Sequence, residues 1–244
     1  MEGIRSVGLG AFLLANLVVG SRLLWQARRS RELPELCIGL AFLLAGCLGY
    51  VLNFLSFQLA AALGCWAIPL AALGQANLNF GTAALWIFTW RVFRPAQSWA
   101  RILVAAALAA TLISYVGLGV ATGFTARAYQ AGWFWLGFCV RWLSFLWTSA
   151  ESLLYHRRMK RRLALGLAEP LVTNRLLLWG LASAAIALSF AVNLVNLLVG
   201  GAPFGPVPTL FMSGFGLTTA VLIWLAFFPP ARYRERIQRS RVEA

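Results

Sequence analysis

The chain has 244 residues, 61% of them hydrophobic and 11% charged, less than half the roughly 25% charged share of an average soluble domain. That excludes an ordinary soluble fold, and it excludes disorder, which needs low hydrophobicity and high charge. The formal charge of +14 would suit nucleic acid if the basic residues formed a patch on a folded face. They punctuate the ends of apolar runs instead, the pattern that membrane orientation produces, so nucleic acid is not an expected partner and the lipid bilayer is.

A spanning helix needs about 20 predominantly apolar residues to cross a core of about 30 Å. Runs of that kind, bounded by breakers, predict seven spans at residues 7–25, 36–57, 68–90, 102–121, 133–154, 176–199 and 210–228. The expected fold class is an all-α membrane protein. A seven-transmembrane helix bundle would occupy residues 1–230, with a short basic tail at 231–244.

The first run follows Arg5 but lacks a small-x-small cleavage site and ends in Arg28, Arg29 and Arg31. It reads as a retained helix with a stop-transfer flank rather than a signal peptide. Pro34 and Pro170 each open a helix, where a missing N–H is harmless, and Glu35 and Glu169 beside them suit the positive end of the helix dipole. Small residues spaced by four, Ala41, Ala45 and Gly49 in the second span and Ala106, Ala110 and Ser114 in the fourth, read as packing stripes. Trp25, Trp66, Trp90, Trp99, Trp133, Trp135 and Trp179 fall near predicted helix ends, at headgroup level. Pro229 and Pro230 stop the last span, and the basic stretch that follows reads either as a short helix on the membrane surface or as a frayed tail.

Connections after the first, third and fifth spans, the tail, and Arg22, Arg91, Arg101 and Arg175 at the same helix ends hold the basic residues together on one side. Only Arg5, Arg127 and Arg141 of the 21 lie elsewhere. By the positive-inside rule that side is cytoplasmic, which requires an odd number of crossings, an outside N-terminus and a cytoplasmic C-terminus. The expected location is the plasma membrane, or the inner membrane of a Gram-negative cell.

Residue types exclude several chemistries. Aspartate is absent, His156 is the lone histidine and Lys160 the lone lysine. Paired aspartates, a metal-ligand cluster and a Schiff-base lysine in the last helix therefore have no parts here. Cys37, Cys47 and Cys139 lie within spans as small apolar residues, Cys65 lies near the outer surface, and no disulfide framework follows. His156 reads as a solvated interface residue. Neither an enzyme nor a cofactor is expected.

The informative helix is the fifth. Arg141 lies about 15 Å below its outer end at 1.5 Å per residue, close to mid-bilayer. Arginine at a helix centre costs about 2.5 to 3.5 kcal/mol on insertion scales, so it is expected to face a polar interior. Arg141, Ser144, Thr148, Glu151 and Ser152 share one helical face. Asn53, Gln75, Asn79, Asn193 and Asn196 project from other helices in the outer half, with Ser189 and Ser213. Tyr50, Trp86, Phe138, Trp142 and Phe145 are placed to line a mostly apolar pocket of the kind small molecules occupy. In one reading the amides and Arg141 simply tie helices together. In the other, Arg141, Asn53, Gln75, Asn79, Trp86, Ser144, Asn193 and Asn196 bind a small anionic or amphipathic ligand. Glu151, too far along the helix to pair with Arg141, forms a cytoplasmic latch with Arg91 or Arg175.

The segments Arg31-Glu32-Leu33-Pro34-Glu35-Leu36 and Gly166-Leu167-Ala168-Glu169-Pro170, with the ending Phe227-Phe228-Pro229-Pro230, resemble those of uncharacterised bacterial seven-helix membrane proteins, a resemblance that brings no known activity. In topology the chain is also similar to serpentine receptors and microbial rhodopsins, without the rhodopsin lysine. The expected function is that of a sensor or receptor-like protein, signalling through a separate cytoplasmic or membrane partner protein. The alternatives are a transporter or channel for a small solute, or an accessory subunit of a membrane complex.

Overall fold

A computed structural model describes residues 2–125, 130–201 and 206–239. Arg127 and Arg241, both used in the charge count, lie outside the described residues. Every regular element among those described is a helix: α1 (Glu2–Ser30), α2 (Leu33–Gln58), α3 (Ala67–Phe93), α4 (Ser98–Thr122), α5 (Gly132–Ala164), α6 (Pro170–Leu198), α7 (Pro206–Phe227) and α8 (Ala231–Arg239), with one short helical turn at Ala60–Leu63 and another at Gly64–Trp66. Six of these segments, in α1 to α4, α6 and α7, are long and apolar enough to cross a membrane, the make-up of a multi-pass membrane protein. The long α5, of 33 residues, is less apolar because it carries Arg141, Glu151 and four tryptophans (Trp133, Trp135, Trp142 and Trp147) before its basic end.

Helix ends follow the local sequence. Arg28 and Arg29 occupy the last turn of α1, where cations suit the negative end of the dipole. Pro34 sits in the first turn of α2 and Pro170 in that of α6. Glu35 is further held by hydrogen bonds from Gln26 and Ser30. Gly123 closes α4 in the left-handed region at φ 57°, its N–H donating to Gly119 O, a conformation glycine adopts without a Cβ penalty.

Two compact units emerge, residues 16–144 and residues 1–15 with 145–244. In the first, α1, α2 and α3 approach through residues with little or no side chain. A Cβ on Gly20 would stand 3.2 Å from Gly39 O, and one on Gly46 would strike Asn16 Oδ1 at 2.0 Å. Between α2 and α3, a Cβ on Gly49 would lie 2.8 Å from Leu78 N, one on Gly74 2.5 Å from Asn53 Nδ2, and one on Gly81 2.5 Å from Ala45 N. The middle of α2, Ala41–Gly49, is wound as a π-helix, a wider turn that sequence pattern does not announce and that normally occurs only in single turns. Small residues along that stretch let the widened backbone still meet its neighbours.

The α4 stripe differs from the one expected. Its buried face runs through Ala100, Val104, Ala107, Thr111, Ser114 and Leu118, while Ala106 is exposed. A spacing of four among alanines fits several faces of an apolar helix, and only the packing partner selects one. Thiols need a correction as well: all four cysteines are free, but Cys139 is exposed and Cys47 half-buried, leaving Cys37 alone buried.

In the second unit α6 packs along α7, and α8 folds back against α6. The basic stretch 231–239 is helical rather than frayed. Residues 155–164, read from sequence as a basic loop, continue α5 as helix. That continuation corrects the reading of His156, which is half-buried with Nδ1 2.8 Å from Thr173 O. A carbonyl only accepts, so Nδ1 carries the proton in that bond.

Gly81→Ala should lose about 1–3 kcal/mol by overpacking against Ala45. Gly214→Ala, where a Cβ meets nothing within 4 Å, should be neutral or gain up to about 1 kcal/mol in helix propensity. Thermal unfolding in detergent micelles checks the pair, and equal effects at the two sites would refute the close approach of α2 and α3.

Candidate functional site

Arg141 lies in the first unit, 6% exposed, in the first third of α5. One N–H of its Nη1 donates to Asn79 Oδ1 at 2.9 Å, from α5 to α3. Because arginine has no acceptor, Asn79 must present its oxygen to the cation, which fixes the amide and turns Nδ2 the other way. That Nδ2 is buried with no hydrogen-bond partner, and so is Nε2 of Gln75, one turn earlier on α3. Arg141 is therefore met by a neutral amide, and α3 carries two buried amide nitrogens one turn apart that have no partner.

Neighbouring groups shape the same region. Gly137, one turn before Arg141, makes room for α4: a Cβ there would stand 2.3 Å from Ser114 Oγ and 3.4 Å from Arg141 Nη1. Ser114 donates to Trp133 O at 3.0 Å and Tyr115 to Ala72 O at 3.3 Å, tying α4 to α5 and α3. Trp86 donates from Nε1 to Val140 O at 3.3 Å, beside Arg141, and Ser144 Oγ donates to Arg141 O at 2.6 Å. Phe138 is buried against Trp135 and Trp142.

Of the residues expected at a ligand site, the structure thus brings together Arg141, Asn79, Trp86 and Ser144, with Gln75 one turn from Asn79. Asn53 turns its Nδ2 back to Gly49 O on its own helix at 2.8 Å and packs on Gly74. Asn193 and Asn196 belong to the other unit. There Asn193 Oδ1 is buried without a partner, and the Asn196 amide packs against Gly201. Sequence reasoning treated Ser114 as packing alone and passed over Gly137. The signal for Gly137 was a glycine four residues before a buried arginine.

The residues assigned to a latch have these neighbours: Arg175 Nε donates to Ala226 O at 3.1 Å, Glu151 Oε1 accepts from Trp147 Nε1 at 3.2 Å, and the Arg91 guanidinium stacks over Trp90 at 4.5 Å. Among the described residues no group of three or more potential metal ligands is present.

Magnitudes show what is incomplete about Arg141. A hydrogen bond to a charged group is worth about 1.5–3 kcal/mol, and leaving a buried cation without one costs several kcal/mol. Asn79 offsets much of that cost but supplies no negative charge. In residues 16–144 the acidic side chains are Glu32 and Glu35, both at the start of α2. No family model matches the chain, and neither a curated protein nor a solved structure matches it.

Asn79→Leu should lose about 1.5–3 kcal/mol by removing the acceptor from a buried cation. Combined with Arg141→Met it should cost less than the two single changes together, with a coupling of about 0.5–3 kcal/mol. Denaturant unfolding of the four proteins in micelles measures this, and strict additivity would show that the two side chains do not act as a pair.

Proposed function

We propose that this chain is a sensor-like membrane protein that receives a small anionic or amphipathic ligand at Arg141 and acts through a separate partner protein. The observation that carries the reading is a buried cation met by a neutral amide, with two buried amide nitrogens on α3, those of Gln75 and Asn79, that have no hydrogen-bond partner. A carboxylate or phosphate oxygen supplies both the negative charge that Arg141 lacks and acceptors for Gln75 Nε2 and Asn79 Nδ2. Charge-assisted bonds of this kind are roughly twice as strong as neutral ones. Trp86 and Phe138 supply apolar contact for the rest of an amphipathic molecule.

The topology that goes with this reading is seven crossings, with α5 as the fifth. The N-terminus is outside, the C-terminus is cytoplasmic, and the membrane is the plasma membrane or its Gram-negative inner counterpart. Support comes from the one-sided arginines and from the length of α5. At 1.5 Å per residue its 33 residues reach about 50 Å, enough to cross the core and project beyond it. A second reading, transport of the same ligand, draws on the π-helical stretch of α2, since such departures from regular winding cluster at functional sites.

Gently extracted protein analysed by native mass spectrometry should carry a bound anion that is lost in Arg141→Gln while the fold is retained. An unchanged mass spectrum and unchanged thermal stability would remove the ligand reading. Flux of that anion into sealed proteoliposomes would make transport the function in its place. For topology, a membrane-impermeant maleimide should label the exposed Cys65 in intact cells, and labelling only after the membrane is opened would reverse the orientation.

A further inference from the structure

The second unit holds a cavity of about 240 Å³ where α6 begins, α7 ends and α8 folds back. Its polar wall is made by Asn174, Arg175, Tyr233 and Arg234, its apolar wall in part by Leu225 and Phe227, and no acidic side chain lines it. We propose that this cavity is a headgroup site for an acidic phospholipid, with the lipid phosphate held between Arg175 and Arg234.

The local bonding prepares the site. Arg175 spends its Nε on Ala226 O at 3.1 Å, which anchors the guanidinium on the last turn of α7. The other four N–H groups belong to its terminal nitrogens, in the planar fork that matches phosphate oxygens. Asn174 Nδ2 donates to Tyr233 OH at 3.0 Å. The phenol is the acceptor there, so its own proton is directed elsewhere. Arg234 is exposed on α8, and Arg234 N–H donates to Pro230 O at 3.0 Å, fixing its place in the first turn after the Pro229-Pro230 break.

Position selects a lipid over a soluble anion. The cavity sits where apolar α7 gives way to a short helix carrying Arg232, Arg234 and Arg236. That transition marks headgroup level in a membrane protein. The volume equals about eight water molecules at 30 Å³ each, room for a phosphate and a small esterified alcohol. Leu225 and Phe227 provide a surface for the glycerol and the first acyl carbons. The site is separate from Arg141 and stands or falls independently of the ligand proposed there.

The full chain in mild detergent, mixed with phosphatidylglycerol or phosphatidylcholine and examined by native mass spectrometry, tests the site. Phosphatidylglycerol should be retained about thirtyfold better, as two nearby arginines imply. Arg234→Gln should abolish most of that preference. Arg236→Gln, which removes the same charge from the same exposed helix but lies outside the cavity lining, should change it by less than about twofold. Tyr233→Phe, which leaves the net charge alone, should lower retention about threefold. Equal losses in Arg234→Gln and Arg236→Gln would mean diffuse attraction and overturn the site, as would no preference between the lipids. Inorganic phosphate that raised the melting temperature as much as phosphatidylglycerol, with the same dependence on Arg234, would reassign the cavity to a soluble anion and overturn the lipid proposal.

Discussion

Inside an apolar medium a polar side chain must find its hydrogen bond within the protein, because no solvent is there to supply one. Many polar residues along these helices do so locally, by turning back on the preceding turn. Asn53 bonds Gly49 O, Asn77 bonds Leu73 O, Thr82 bonds Leu78 O, Thr89 bonds Leu85 O, Thr111 bonds Ala107 O and Ser213 bonds Thr209 O. Side chains satisfied in this way leave the helix self-contained and say little about neighbours. A guanidinium cannot follow them all the way, since its length and its charge require a partner on another element. Arg141 therefore binds α5 to α3 through Asn79, and the cross-helix bonds of Trp86, Ser114 and Tyr115 gather round the same part of the first unit.

A buried cation completed by a neutral amide differs in kind from a buried ion pair. An ion pair is self-sufficient and often replaceable by apolar residues of equal volume. An amide meets one of five N–H groups and leaves the field of the positive charge uncompensated. The unpartnered nitrogens of Gln75 and Asn79 on α3 are donors as well and supply no negative charge. Buried unsatisfied groups are uncommon enough in proteins that each calls for a reason, and the amide nitrogens of Gln75 and Asn79 are two of those that α3 carries.

The sequence displayed some of this and concealed the rest, for identifiable reasons. Helix positions were legible because apolar run length and proline placement are properties of the chain itself: Pro34 and Pro170 stand in the first turns of α2 and α6 as expected. The need of Arg141 for a polar partner followed from a charge set within an apolar run. Which amide would meet it did not, because Asn53, Asn79, Asn193 and Asn196 look alike in sequence, and a self-bonded asparagine differs from a cross-helix one only in its surroundings. The buried face of α4 was hidden for a related reason. When every residue of a helix is apolar or small, hydrophobic periodicity carries no direction. The π-helical winding of α2 had no local signature either, and His156 was misjudged because its partner is a main-chain carbonyl, a group every residue carries.

Close packing of α2 on α3 bears directly on the candidate site. Gly74 and Gly81 bracket Gln75 and Asn79, and each is pressed against α2, Gly74 on Asn53 and Gly81 on Ala45. A one-residue slip or rotation of α3 would drive a side chain into α2 backbone at both points. The register of α3 is thus fixed on either side of the two amides that face the arginine question, and Gln75 and Asn79 are held by a rigid element rather than by a loop. Groups held this way are preorganised, so a ligand meeting them loses little in ordering the site. Asn53, expected to touch a ligand, contributes in this arrangement by filling the space beside Gly74. Its amide nitrogen is already committed to Gly49 O, so the cross-helix bond to Arg141 falls to Asn79.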